Sequence, residues 1–153
     1  MTTTDNTTIN KALVLRFMSG IAKLAETRDP SLLEELVAPD VALHVTGFPP
    51  EMQGRDALIQ AVFMFVDAFP DLEITELYPI LAQGDTVAVR VRWSGTHTGD
   101  LMGIPATGKR VSVEDMHVER IANGKIVERF AVTGMMSLLQ QIGVIPAPQQ
   151  ASI

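Results

Sequence analysis

Apolar residues recur at Ile9, Leu13, Phe17, Ile21 and Leu24, the three-to-four spacing of one helix face. This predicts an amphipathic first helix over Ile9–Thr27, with Thr7 or Thr8 as N-cap and residues 1–8 as a flexible tail. Asp29-Pro30 starts a short second helix to about Val37, since proline at a first helical turn loses no hydrogen bond, and Ala38-Pro39-Asp40 ends it. Val41–Thr46 is β-branched and reads as a short strand. After the Pro49-Pro50 loop, Asp56 opens a third helix carrying Leu58, Ile59, Val62, Phe63, Phe65, Val66 and Phe69. It is apolar around much of its circumference, which predicts burial.

From Pro70-Asp71 onward the period changes to two. Leu72–Ala82 reads as a strand with Pro79 at a bulge or edge position, and Thr86–Thr98 as the longest strand. There Val87, Val89, Val91 and Trp93 share one face, with Arg90 and Arg92 on the other. Gly99–Gly108 is a glycine- and proline-containing loop. Val111–Ile121 and Ile126–Thr133 alternate on either side of Asn123-Gly124, a strong hairpin signal because a type I′ turn needs φ > 0 at both central residues. A two-residue loop sets Ala122 opposite Lys125, Glu119 opposite Glu128, His117 opposite Phe130, Asp115 opposite Val132 and Val113 opposite Gly134. Val113, Asp115, His117, Phe130, Val132 and Gly134 then share one face. Such a mix of ionisable and apolar groups suggests a pocket. Glu119 against Glu128 would be unfavourable if buried, which puts that end of the hairpin in solvent, and Arg129 falls on the outward parity with Glu114. Met135–Ile142 is a short final helix.

Three helices followed by antiparallel strands and a short helix predict an α+β fold, a conical curved antiparallel sheet wrapped around the three N-terminal helices. Residues 9–146 form one domain, and 147–153 a loose tail. The space between helices and concave sheet is the natural ligand site. Composition narrows the chemistry. The chain has 153 residues, a net charge of −6 and no cysteine, which disfavours nucleic acid as a partner and removes disulfides, thiol catalysis and thiolate metal sites. No apolar run approaches a membrane span, and Met1–Thr8 lacks the basic and apolar regions of a signal peptide. A cytoplasmic protein is the simplest expectation.

Four motifs in order then resemble the SnoaL-like polyketide cyclases of the nuclear-transport-factor-2-like group: Gly95-Thr96-His97-Thr98-Gly99, Gly103-Ile104-Pro105-Ala106-Thr107-Gly108-Lys109, Gly124-Lys125-Ile126-Val127-Glu128 and Leu138-Leu139-Gln140-Gln141-Ile142-Gly143. Ala38-Pro39-Asp40 and Gly54-Arg55 also fit, so the resemblance runs from about Ile9 to Pro146. It implies a conical α+β barrel, dimeric or tetrameric through the sheet, with a buried pocket. It also implies intramolecular aldol closure of a polyketide ester without metal or organic cofactor. Relatives of the fold hydroxylate, isomerise or hydrolyse, so fold alone fixes little. The resemblance places an aromatic residue on the last strand, here Phe130, and a proton-carrying aspartate four positions later. That position is Gly134, which has no side chain to move a proton.

Aldol closure needs a base beside a carbonyl and a donor for the new alkoxide. Asp115, diagonal to Gly134 on the expected register, is the candidate base; the alternative is an outward carboxylate paired with Arg90 or Arg92. His117, two residues on, would complete an acid–base pair or be a satisfied structural histidine. His97 is expected at the pocket mouth, and His44, Phe63, Trp93, Met116, Phe130, Val132 and Gly134 as substrate-contacting positions. The three histidines lack metal-ligand spacing, so no metal is expected. Gln140-Gln141 would cap backbone groups or meet a second subunit. The readings left open are a cofactor-independent enzyme acting on a hydrophobic carbonyl compound, a non-catalytic small-molecule binding protein, and a cofactor-free hydroxylase-like relative.

Overall fold

A computed structural model describes residues 3–147 of the chain. The expected α+β cone is present, a curved five-stranded sheet with helices on its concave side. Helix α1 covers Thr3–Thr27 and α2 Ser31–Leu36. Strand β1 (Val37–Val45) follows directly, then α3 (Arg55–Ala68), β2 (Glu73–Gln83), β3 (Thr86–Thr96), β4 (Arg110–Ala122), β5 (Lys125–Thr133) and α4 (Met135–Gln141). Strands stand in the order β1-β5-β4-β3-β2. All pairings are antiparallel except β1 with β5, which is parallel. That pairing is long-range and leaves no periodicity signal in the chain. The first helix begins at Thr3, so residues 3–8 are helical where a flexible tail was expected. Of the expected C-terminal tail, residues 148–153 lie outside the described residues.

The inner stripe of α1 buries Leu13, Val14, Phe17, Met18 and Leu24 against the valines of β3 and against Leu43, Ile121 and Ile126. Each such side chain contributes roughly 1.5–3 kcal/mol by leaving water. A second apolar cluster under α4 joins Phe69, Trp93, Leu101, Val113, Leu138 and Ile142. Two glutamine amides extend the backbone ladders. Gln53 bonds both the N–H and C=O of Leu43 on edge strand β1, each at 2.8 Å. Gln141 does the same for Ser112 on β4 at 2.8 Å, satisfying strand groups that β5 ends too early to reach. Pro79 lies on edge strand β2, between the register points Leu77 and Ile80 where the ladder shifts.

The hairpin turn is as the sequence predicts, with Asn123 at φ 52° and Gly124 at φ 72°. Beyond it the register departs from expectation. Ile121 pairs with Ile126, but Arg120 pairs with Glu128, so Val127 is an extra residue in a β-bulge. Side chains alternate along a strand, so one inserted residue exchanges the faces of everything after it. Arg129, Ala131 and Thr133 turn inward, opposite Glu119, His117 and Asp115; Glu128, Phe130 and Val132 turn outward.

Candidate functional site

The concave face and the helices enclose an apolar recess of about 780 Å³, counting its open mouth. Met18 and Ile21 of α1, Leu58, Val62, Phe65 and Val66 of α3, Ile74 of β2 and Val91 of β3 supply most of its wall, with Phe48 and Met52 from the loop after β1. Its polar groups are concentrated at one place: Asp115 and His117 on β4, Arg129 and Thr133 on β5, and the indole of Trp93 on β3.

Packing aims these groups. Phe69 and Phe65 meet the Trp93 ring edge-on at 5.2 and 6.2 Å, fixing its plane so that Nε1–H donates to Asp115 Oδ1 at 3.3 Å. Thr133 Oγ1 donates to Asp115 Oδ2 at 3.4 Å. His117 Nε2 stands 3.6 Å from the same oxygen. Arg129 Nη2 lies 3.3 Å from each ring nitrogen of His117, its Nη1 donates to Glu119 Oε1, and the Phe17 ring lies 5.2 Å from the guanidinium carbon. Asp115, His117, Arg129 and Glu119 thus form a buried chain of polar contacts running back from the cavity.

Burial dominates the electrostatics. His117 is pushed down to about 4 by loss of hydration and by the Arg129 charge, against the pull of Asp115, so its imidazole is neutral at pH 7. Burial pushes Glu119 up to about 7, against the Arg129 guanidinium that draws it down. A neutral imidazole beside a carboxylate in an apolar recess can donate a hydrogen bond to a developing oxyanion without first being a cation.

Trp93, Asp115 and His117 line the recess; the other expected positions do not. Phe130, Val132 and Met116 are 43%, 52% and 53% exposed on the outer face, the two β5 residues because of the bulge. Met116 has even parity on β4, opposite to Asp115. His44 stacks on Phe130 at 4.4 Å and pairs with Glu128 Oε2 at 3.0 Å, so it too is outside. Phe63 packs on the core with Arg28 5.0 Å from its ring, while its neighbours Val62 and Phe65 face the recess. His97 is not at a mouth. It is fully buried in a loop contact, its Nδ1 accepting the Thr107 N–H at 3.2 Å. Gly134 is the N-cap of α4, and a Cβ there would lie 2.8 Å from the Glu114 carbonyl oxygen.

Glu119, expected in solvent, has no exposed surface, and Arg129, expected on the outer face, is 5% exposed. Arg90 and Arg92 do face outward, paired with Glu114 and Glu76. Sequence reasoning missed Arg129, Ala131 and Thr133 for one reason, the bulge. The adjacent apolar pair Ile126-Val127, which breaks the alternation, was the available signal. No group of three His, Asp or Glu side chains that could hold a metal occurs among the described residues, and no described helix is long and apolar enough to cross a membrane.

The sequence profile of the SnoaL-like polyketide cyclases matches residues 12–142. The chain belongs to that family. It is 31% identical over 112 residues to the aklanonic acid methyl ester cyclase DauD of Streptomyces sp. (strain C5), covering 73% of this chain and 67% of that enzyme. Among solved structures, a SnoaL-like polyketide cyclase candidate from Jannaschia sp. CCS1 superposes with a TM-score of 0.81 at 24% identity, over 91% of this chain and 94% of that one. AclR, a candidate hydroxylase from Streptomyces galilaeus, superposes with a TM-score of 0.78 at 29% identity, over 94% of this chain and 87% of that one.

Proposed function

We propose that this SnoaL-like protein is a cofactor-independent acid–base enzyme that closes a ring by intramolecular aldol addition on a polyketide ester. The reading is carried by Asp115, a carboxylate held by Trp93 and Thr133 in an apolar recess next to a neutral histidine. Asp115 takes a proton from the carbon between two carbonyl groups. The enolate carbon then forms the new C–C bond to a third carbonyl carbon elsewhere in the same molecule, whose π electrons become an alkoxide. His117 N–H donates a hydrogen bond to that alkoxide, and the proton held by Asp115 is returned to it, so the product is an isomer of the substrate. The apolar wall keeps water from quenching the enolate. Asp115 thereby supplies the proton transfer for which Gly134 has no side chain.

DauD, by its name, acts on aklanonic acid methyl ester, which makes that compound the first substrate to try. With it in deuterated buffer, the wild type should give the cyclised isomer and exchange the acidic carbon position. Asp115→Asn keeps the shape of the side chain and should lower kcat by about 10²–10⁴-fold, the usual worth of a positioned base. An unchanged rate in that variant would overturn the assignment. A second reading, a non-catalytic binding protein, is favoured by Gly134 itself; it predicts saturable ligand binding with neither product nor deuterium exchange. Self-association through the outer sheet face, where Met116, Phe130 and Val132 lie exposed, is a further part of the proposal, and the molecular mass in solution tests it.

A further inference from the structure

Glu119 is the least expected group in the fold. It is a carboxylate with no exposed surface that is not among the residues lining the recess, and its second oxygen Oε2 has no hydrogen-bond partner among the described residues. A buried polar atom left unpaired costs stability and calls for an explanation. Its contacts are simple: Arg129 grips Oε1, Val87 of β3 flanks it across the sheet, and α1 contributes the Phe17 ring beneath the guanidinium. Arg129 is the one charged group acting on Glu119 among the described residues; beyond it along the same face come His117 and then Asp115.

The order of that chain matters. Arg129 touches His117 at 3.3 Å, and His117 stands 3.6 Å from Asp115, so the guanidinium is one imidazole away from the base. Among the described residues Arg129 makes no ion pair with Asp115, although both face the same recess. A long, flexible cation so placed would be drawn to the nearest accessible anion, and in a low-dielectric site that pull is strong. An arginine on the base would stabilise its charged form and weaken it as a proton acceptor.

We propose that Glu119 is a positioning residue: by gripping Arg129 from the side away from the recess it holds the guanidinium against His117 and off Asp115, leaving that carboxylate free to take the substrate proton. The inference rests on the acid–base reading above but makes its own structural claim. Glu119 must be ionised to compete for Arg129, and burial, which pushes it up to about 7, then makes the grip strengthen as pH rises through neutrality.

The test is Glu119→Gln, which has the same size and keeps one acceptor but never carries the charge. The wild type should gain kcat between about pH 6 and 8 as Glu119 ionises. Glu119→Gln should lack that rise and have a kcat at pH 8 lowered about tenfold or more, with KM within about twofold because Glu119 does not line the recess. Glu119→Asp should restore part of the rise. A crystal structure of Glu119→Gln should show Arg129 moved onto Asp115. A variant that keeps the wild-type kcat and its pH rise, or whose crystal structure leaves Arg129 on His117, overturns the proposal. If the wild type turns over no substrate, the aldol reading falls, and the crystal structure alone decides the role of Glu119.

Discussion

Replacing His117 by Gln tests the electrostatics of the site through folding alone, with no substrate needed. The imidazole is 5% exposed and titrates at about 4 in the folded protein against an ordinary 6.5. Between those values the unfolded chain binds the proton and the folded chain does not, so stability present above pH 6.5 is lost as pH falls toward 4. At 1.4 kcal/mol per pH unit the loss is about 3 kcal/mol, a large part of the roughly 5–15 kcal/mol that holds such a domain together. Glu119 has the opposite sign. Its folded value of about 7 lies above the ordinary 4.5, so it costs stability as pH rises from 4.5 to 7, by a similar amount. In the wild type the two slopes largely cancel between about pH 4.5 and 6.5. Urea unfolding of the wild type and His117→Gln at half-unit pH steps separates them. The wild type should lose about 3 kcal/mol relative to the variant on going from pH 7 to 4, and the variant should become more stable as pH falls from 7 to 4.5. Parallel curves would refute the account, since they would mean His117 titrates alike in the folded and unfolded chain.

Two further outcomes check the register and the glycine. Arg129→Met should cost about 3 kcal/mol because it strands Glu119 without a cation, while Phe130→Thr on the exposed face should cost about 1 kcal/mol or less; without the bulge the order would reverse, and thermal unfolding distinguishes the two. Gly134→Asp should lower Tm by about 5 °C, through a Cβ 2.8 Å from the Glu114 carbonyl oxygen and an overpacking cost of about 1–3 kcal/mol. That variant should not gain cyclisation rate, since position 134 is not among the residues lining the recess; a faster variant would show that α4 can reorganise around an aspartate.

Most elements of this fold were readable from the chain because each rests on local periodicity. The valines of β3, the apolar stripe of α1 and the Asn123-Gly124 turn each state their structure within a dozen residues. The inward parity of Asp115 and His117 follows from the same alternation, which survives along the whole of β4 because that strand is unbroken. What could not be read depends on partners distant in sequence or on a break in the period. The parallel seat of β1 beside β5 joins Leu43 to Arg129, and nothing near either residue announces it. The burial of His97 depends on Thr107 across a loop, so its place at a strand end was a poor guide. Val127 is the most instructive case. One extra residue after the hairpin turn reverses the facing of β5, which removes Phe130 and Val132 from the cavity and brings in Arg129 and Thr133. A buried arginine then requires a buried acid, and Glu119 on the unbroken neighbouring strand is the residue opposite it. Like-charge avoidance between Glu119 and Glu128 had argued for an exposed hairpin end. The same rule, applied to the bulged register, pairs Glu119 with a cation and puts it in the core. The bulge therefore does more than bend the sheet: it converts an acidic hairpin into the alternating line of charged and polar groups on which the proposed chemistry rests.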